Sequence, residues 1–124
     1  MMRRAAPLAV LLFALTAGAV SPAWADARSS AKAEAQFGID VAQRGLWREA
    51  IYRWERAVEL DPTYAAAFNN LAVAYEHEGQ LDKARQAYEK ALALEPQNIQ
   101  IRQNYDLFKE INDRAGAEKK DEQP

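Results

Sequence analysis

Apolar residues recur along this chain at helical spacing, on one side of each predicted helix. Two segments carry the pattern at equivalent positions: Ala50, Ile51, Trp54, Ala57 and Val58 in one, and Ala84, Ala87, Tyr88, Ala91 and Leu92 in the other. Spacings of three, four and seven residues place side chains on one face of an α-helix. No segment alternates between apolar and polar residues with the period of two that a strand shows. The pattern therefore predicts an all-α protein.

Glycine and proline divide the helical patterns from one another. Gly45 and Gly79 each follow a helical pattern, and glycine is the residue that most easily adopts the left-handed backbone found at helix ends. Pro62 and Pro96 end the next two patterns, because proline lacks the backbone donor and disfavours helix in the residue before it. We therefore predict five helices, at residues 29–44, 47–60, 64–78, 81–94 and 98–113.

The chain contains an internal repeat. The segment GLWREA at 45–50 is followed by GQLDKA at 79–84, and LDP at 60–62 is followed at the same offset by LEP at 94–96. A stacked pair of antiparallel helices leaves a period of this length, about 34 residues, in a sequence. Small alanines allow two helix axes to approach closely, and Trp54 and Tyr88 fill the remaining volume.

These residues resemble the signature of the tetratricopeptide repeat. In the second unit the signature positions hold Phe68, Leu71, Ala72, Tyr75, Gly79, Ala84, Tyr88, Ala91 and Pro96. The first unit has Phe37, Gly38, Val41, Gly45, Ala50, Trp54, Ala57 and Pro62. It departs from the signature with Val41, where tyrosine is usual, and with Glu34, where a large apolar residue is usual. We expect Glu34 to face outward.

The resemblance implies a right-handed superhelix of antiparallel helix pairs, with repeats at 31–64 and 65–98 and a capping helix at 99–114. It also implies a concave groove that holds a peptide or protein segment, and no catalytic activity. Transferred position by position, the groove residues are Gln36, Ile39, Gln43, Asn69, Asn70, Val73, His77, Gln103 and Asn104. Asn69 and Asn70 are the strongest candidates, because asparagine has poor helix propensity and both lie in mid-helix.

One binding mode of the family grips a C-terminal carboxylate with basic and amide side chains on successive helices. Here only Asn70 fits that mode. The other positions hold Ala35, Ile39, Gln100 and Asn104, so a carboxylate would find amide dipoles and no counter-charge. We therefore expect a different ligand.

Residues 1–25 have the three parts of a secretory signal peptide. Arg3 and Arg4 precede an apolar run at 8–20, and an A-x-A cleavage site follows at 23–25. We predict cleavage after Ala25 and a periplasmic location in a bacterium, with a retained membrane anchor as the less favoured alternative. Residues 26–30 and 115–124 are predicted to be disordered, since they contain no large apolar residue.

Charge and composition argue against several classes of function. Acidic side chains outnumber basic ones by 18 to 16, two of the basic ones lie in the predicted signal peptide, and the charges alternate along the chain. No basic stripe is therefore predicted that would bind nucleic acid. The chain has no cysteine and one histidine, His77, which argues against a metal site and a bound cofactor. The carboxylates Glu49, Glu78 and Asp82 are predicted on turns or outer faces, so we expect no enzymatic activity.

Three aromatic residues of the second predicted helix have different expected roles. Trp54 lies on the packing stripe, and Trp47 occupies the position of Leu81, so both are predicted in the core. Tyr52 points away from the stripe and is a candidate contact residue.

The sequence thus predicts a small helical adaptor that binds a peptide or protein segment on its concave side. The alternative is a structural scaffold that self-assembles through its terminal helices, because an array of two repeats is short for independent stability. On this alternative, a second copy or a partner would stack on an open face of the first helix formed by Ala31, Ala35 and Ile39.

Overall fold

Five α-helices make up the part of the chain that the computed structural model describes, residues 22–121. They are α1 (Pro22–Gln43), α2 (Trp47–Leu60), α3 (Ala65–His77), α4 (Leu81–Leu94) and α5 (Ile99–Asp121), and no strand occurs within these residues. The most extensive packing joins α1 to α2 and α3 to α4, while α2 also packs on α3 and α4 on α5. The predicted all-α array of antiparallel helix pairs is confirmed.

The two turns within the helix pairs have the same structure. Gly45 and Gly79 have positive φ angles of 77° and 72°. After Gly45, the amide of Leu46 donates to the carbonyl of Val41 at 3.0 Å, and after Gly79, the amide of Gln80 donates to the carbonyl of Tyr75 at 2.8 Å. This hydrogen bond around a left-handed glycine is the Schellman ending of a helix. The internal repeat is thus visible in the backbone as well as in the sequence.

In each helix pair, one large buried aromatic ring packs among alanines at the interface between the two helices. Trp54 and Tyr88 are 4% and 1% exposed. The Trp54 indole donates from Nε1 to the carbonyl of Ala35 in α1 at 3.0 Å. A Cβ atom placed on Gly38 would lie 2.6 Å from the same nitrogen. Position 38 therefore has to be glycine so that the indole can lie directly on the backbone of α1.

Two buried tyrosines connect neighbouring helices through carboxylates. The Tyr75 hydroxyl donates to Oε1 of Glu55 at 2.6 Å, which joins α3 to α2. The Tyr88 hydroxyl donates to Oε2 of Glu76 at 2.6 Å, which joins α4 to α3. Burial raises the pKa of both tyrosines well above the usual value, and the hydrogen-bonded carboxylates raise it further.

Helix α5 packs by one face and is otherwise open to solvent. Its buried residues are Ile101 and Phe108. The Phe108 and Tyr105 rings each lie 5.5 Å from the Tyr88 ring, measured between centroids. No helix among residues 22–121 is both long enough and apolar enough to cross a membrane.

The terminal helices are longer than predicted. α1 begins at Pro22 and α5 ends at Asp121, so residues 26–30 and 115–121 are helical where the sequence predicted disorder. Residues 115–121 are rich in alanine, glutamate and lysine, which favour helix. Residues 26–30 contain an aspartate and two serines, and they are helical because extending an existing helix costs far less than starting one. Of the predicted signal peptide, residues 1–21 lie outside the described part of the chain, as do residues 122–124 of the predicted tail.

Two expectations about α1 are wrong. Ala31 and Ala35 are 0% and 4% exposed, so they are buried and do not form an open face with Ile39, which is half-buried. Glu34 does not simply face outward, because Nη1 of Arg53 in α2 lies 3.3 Å from its Oε2 and the carboxylate is three-quarters buried. An ion pair between α1 and α2 thus takes the place of the usual apolar residue.

Candidate functional site

A cavity of about 350 Å³ lies among the first helices of the helix pairs and α5. Helices α1, α3 and α5 supply most of its walls, and two tryptophans of α2 complete it. The lining residues are Ile39, Ala42, Gln43, Trp47, Trp54, Asn69, Asn70, Val73, Gln100 and Asn104. None of these side chains carries a charge. The structure thus brings six of the nine predicted groove residues into one cavity: Ile39, Gln43, Asn69, Asn70, Val73 and Asn104.

The other three predicted groove residues lie outside this cavity, and all three are exposed. Gln36 donates from Nε2 to Oδ1 of Asp40, one turn further along α1, at 3.0 Å. His77 stacks on Trp47, with 4.1 Å between ring centroids and 19° between ring planes. For Gln103, as for these two, a role in binding stays a prediction.

The two adjacent asparagines of α3 differ in their surroundings. Asn69 is 8% exposed, and its Oδ1 accepts a hydrogen bond from Nδ2 of Asn104 at 3.2 Å. This bond joins α3 to α5 across the cavity, so Asn69 positions Asn104 in addition to lining the wall. Asn70 is half-buried on the same wall and presents an amide donor and acceptor. Asn70 is therefore better placed than Asn69 to contact a ligand.

Several lining residues were not predicted as groove residues. Trp47 and Trp54 were assigned to the core, yet both reach the cavity, and Trp47 is only half-buried. Ala42 and Gln100 line it as well. Tyr52, the aromatic residue predicted as a contact, is 52% exposed and lies outside the cavity, with its ring centroid 5.4 Å from the guanidinium carbon of Arg53.

Leu107 is a further candidate contact residue, and it was not predicted from the sequence. It is 57% exposed and follows Gln100 and Asn104 on α5 at seven and three residues, which places it on the same face of that helix. The repeat itself carries the signal, because Ile39, Val73 and Leu107 occupy equivalent positions, each one repeat period after the last. The cavity therefore continues along α5 as an exposed apolar surface.

The concave face thus presents two parallel rows, each with one residue from α1, α3 and α5. The amide row consists of Gln36, Asn70 and Asn104, and the apolar row consists of Ile39, Val73 and Leu107. On each helix the two rows are three residues apart, about one turn. Amides can pair with the donors and acceptors of a polypeptide backbone, while the apolar row can contact side chains.

The residues that line the cavity include no side chain suited to metal or acid-base chemistry. No cluster of three or more histidine, aspartate or glutamate side chains suited to a metal ion occurs among residues 22–121. The cavity wall also lacks lysine and arginine, so a ligand carboxylate would have no counter-charge there. The arrangement is suited to binding an uncharged segment.

Family models match the repeats. The tetratricopeptide repeat model matches residues 65–98, and a second model, described as TPR repeat, matches residues 41–79. A tetratricopeptide repeat domain-containing protein of Arabidopsis thaliana, chloroplastic PYG7, is 34% identical over 74 residues, covering 60% of this chain and 25% of that protein. The type IV pilus assembly protein PilF of Pseudomonas aeruginosa is 36% identical over 73 residues, covering 59% and 29%. The chain therefore spans less than a third of the length of these relatives.

A solved structure shares the fold. The crystal structure of MamA superimposes with a TM-score of 0.64 and 32% identity, covering 67% of this chain and 48% of MamA. The paired helices, the left-handed glycines at equivalent positions of the repeat and these matches lead to one conclusion. The chain belongs to the tetratricopeptide repeat family, whose helix pairs generally serve as non-catalytic protein interaction modules.

Proposed function

We propose that this chain is a non-catalytic adaptor, which binds an extended, uncharged segment of a partner protein along its concave face. The observation that carries the proposal is the uncharged cavity of about 350 Å³, which is lined by Asn70 and Asn104 of the amide row and by Ile39 and Val73 of the apolar row. A charged ligand group buried there would lose its hydration without gaining a partner. The bound segment therefore carries apolar side chains and no charge at the cavity.

The proposed contact residues divide by role. Val73 and Leu107 contact apolar side chains of the ligand, with Ile39 at the end of the same row. Asn70 and Asn104 pair with its backbone, and Asn69 holds Asn104 in place through the 3.2 Å hydrogen bond. Gln43 lines the cavity beside Ile39, and the remaining predicted residues, Gln36, His77 and Gln103, form the border of the binding surface.

The domain organisation and location are part of the proposal. Residues 31–64 and 65–98 form two repeats and 99–114 a capping helix, and the family model match over 65–98 supports the second repeat. Residues 1–25 act as a signal peptide, supported by the two arginines, the apolar run and the A-x-A site. The adaptor works in the bacterial periplasm within a larger assembly, and the similarity to a pilus assembly protein supports such a role.

Crosslinking in living cells tests the site and captures the partner in the same step. A photoreactive amino acid is placed at Val73 or at Leu107, with Tyr52 on the outer face as the matched exposed control. We expect the two concave positions to capture the same protein and position 52 to capture none of it. Equal capture from position 52, or no capture from either concave position, would contradict the proposal. Sequencing of the N-terminus of the purified protein tests cleavage after Ala25.

The alternative, a scaffold that self-assembles through its terminal helices, is less well supported at the C-terminal end. Where α3 has Phe68, Ala72 and Tyr75, the equivalent positions of α5 hold Arg102, Asp106 and Lys109. Charged residues replace the apolar ones on which a following helix would pack, so stacking of a second copy there would bury charge. Sedimentation of the purified chain as a concentration-independent monomer would rule the alternative out.

A further inference from the structure

A second cleft, of about 420 Å³, lies between α2 and α4. It shares no lining residue with the concave cavity. Its lining residues come from three helices: Glu55 and Val58 from α2, Phe68, Leu71 and Tyr75 from α3, and Lys83, Gln86, Ala87 and Lys90 from α4. The α3 residues of the two sites differ by about 100° or more around the helix, so the two sites lie on different sides of α3.

The floor of this cleft is apolar. Val58 and Phe68 are half-buried, so each still exposes part of an apolar side chain. Leu71 and Ala87, which are 3% and 7% exposed, close the floor between them. A partner that covered this strip would remove apolar surface from water, which is the main favourable contribution to most protein association.

The rim of the cleft along α4 is positively charged. Lys83 and Lys90 are both exposed and are seven residues apart, which is about two turns or roughly 10 Å along the helix. Within residues 22–121 neither lysine forms an ion pair. Across the cleft, the carboxylate of Glu55 already accepts the 2.6 Å hydrogen bond from Tyr75. The cleft lining thus carries two ammonium groups and one carboxylate, so it is net positive and attracts an acidic partner.

The secondary structure of the partner segment follows from the helices that form the walls of the cleft. All three walls are α-helices, so their backbone donors and acceptors are used within the helices. An extended segment laid on this floor would leave its own backbone groups unpaired, whereas a helix satisfies its own. Acidic side chains seven residues apart on a helix match the spacing of the two lysines.

We propose that the cleft between α2 and α4 is a second docking site, which binds an amphipathic helix of a partner protein. The apolar face of that helix lies on Val58 and Phe68, and two acidic side chains two turns apart pair with Lys83 and Lys90. Because this site and the concave face are separate, the chain can hold two partners at once. The docking site in the cleft is argued from its own residues, whereas simultaneous binding of two partners rests on the proposed function of the concave face as well.

A display selection tests this proposal with a defined probe, a library of helical peptides randomised on one side and panned on the purified full chain. We expect the recovered peptides to be enriched in acidic residues seven apart with leucine-like residues between them. Their affinity should fall about tenfold or more for Lys83→Glu combined with Lys90→Glu, since two attractions become two repulsions. The matched control Lys32→Glu, an exposed lysine on α1, should leave the affinity unchanged.

Other outcomes overturn the proposal. Recovery of no peptide, or of peptides without acidic enrichment, would contradict it. Binding that survives the double substitution but is lost in Val73→Asp would assign the peptides to the concave face. If the double substitution instead abolished self-association of the chain, the occupant would be a second copy. Unchanged thermal melting of the variants verifies that the fold is intact, as both lysines are on the surface.

Discussion

Single side chains set how closely each pair of helices packs. Trp54 is larger than Tyr88, its equivalent in the next repeat, and the facing signature position holds Gly38 in the first repeat where the second has Ala72. The larger ring is thus combined with the smaller partner. In each repeat the summed volume of the two residues is kept similar, which is what close packing of a protein interior requires.

Substitution of Gly38 tests this matching. In Gly38→Ala the new Cβ would lie 2.6 Å from Nε1 of Trp54, so the indole must shift and its hydrogen bond to Ala35 is strained. We expect a loss of about 1–3 kcal/mol in the free energy of unfolding, measured by urea denaturation. Gly116→Ala is the control, because a Cβ there meets open space and the helix should gain up to about 1 kcal/mol. Equal stability of the two variants would contradict the assigned contact.

The buried tyrosines predict a dependence of stability on alkaline pH. The pKa values of Tyr75 and Tyr88 are raised in the folded chain, so above about pH 10 the unfolded chain loses these protons while the folded chain keeps them. The unfolded state is thereby favoured, and stability falls as pH rises, by at most about 1.4 kcal/mol per pH unit for each tyrosine. Urea denaturation from pH 8 to pH 11 measures the slope, which should flatten in Tyr75→Phe combined with Tyr88→Phe. A slope unchanged by this double substitution would rule out the tyrosines as its source.

The residues that sequence reasoning placed correctly are those set by the repeat. Trp54, Tyr88 and the two glycine turns follow from spacing alone. The prediction that Glu34 faces outward was wrong because its partner, Arg53, lies 19 residues further along the chain. The hydrophobic pattern of α2 does not show which polar side chains of α2 reach α1. Asn69 was predicted as a ligand contact, and the structure shows that it also bonds to Asn104, 35 residues away. Pairings of this kind depend on tertiary packing.

Among the helices, α5 has the outer face that fits the proposed capping role. It has the buried face of a first helix, with Ile101 and Phe108, but its opposite side is charged where α3 is apolar. Asp106 and Lys109 form an ion pair at 3.2 Å on that side, and Nζ of Lys109 lies 4.6 Å from the centroid of the Tyr105 ring. A polar outer face is what the terminal unit of a helical solenoid needs for solubility.

Substituting the apolar residues of α3 at the equivalent positions of α5 should therefore create a surface through which the chain self-associates. In the triple variant Arg102→Phe, Asp106→Ala and Lys109→Tyr, the outer face of α5 copies that of α3. We expect this variant to sediment as a dimer or larger species at concentrations where the unchanged chain does not, because association removes the new apolar face from water. A matched triple substitution on the solvent side of α2, with Tyr52→Phe, Arg56→Ala and Glu59→Tyr, controls for general hydrophobicity, because these exposed residues have the same spacing and also include one ion pair. If the two triple variants associate equally, the outer face of α5 has no special role.

The ends of the terminal helices were the least predictable part of the fold. Composition indicated that residues 26–30 and 115–121 bury little surface. Their low burial is confirmed, because almost all of their described side chains are exposed. The helical backbone continues through them nonetheless, since extending a formed helix needs only local hydrogen bonds. Low burial and absence of helix are separate properties, and residues 26–30 and 115–121 have the first without the second.

Considered as one body, the chain offers two surfaces of different chemistry. The concave face has a cavity with an uncharged lining and carries the amide and apolar rows, while the cleft between α2 and α4 has an apolar floor, two lysines and Glu55. The sequence predicted the first surface through the positions of the repeat signature. It did not predict the second, because Lys83 and Lys90 are not signature residues and the signature does not show that a cleft stays open between α2 and α4.

The concave face should therefore distinguish ligands by charge. A segment recovered by crosslinking at Val73 or Leu107 is made as a synthetic peptide, together with a copy that has one aspartate in place of a central apolar residue. We expect the acidic copy to bind about tenfold more weakly or worse, since the cavity offers no counter-charge. Fluorescence anisotropy measures both affinities. Equal binding of the two peptides would mean that the segment lies outside the cavity.

The most direct test of the central claim is a calorimetric titration of that peptide into the unchanged chain and into Val73→Asp. Val73 is 36% exposed, so aspartate is tolerated by the fold, but it places a charge in the middle of the apolar row. We predict that the affinity falls at least about tenfold while the melting temperature stays the same, and that the exposed control Lys32→Glu binds as the unchanged chain does. A folded Val73→Asp variant that binds the peptide with full affinity would contradict the assignment of the concave face as the binding site.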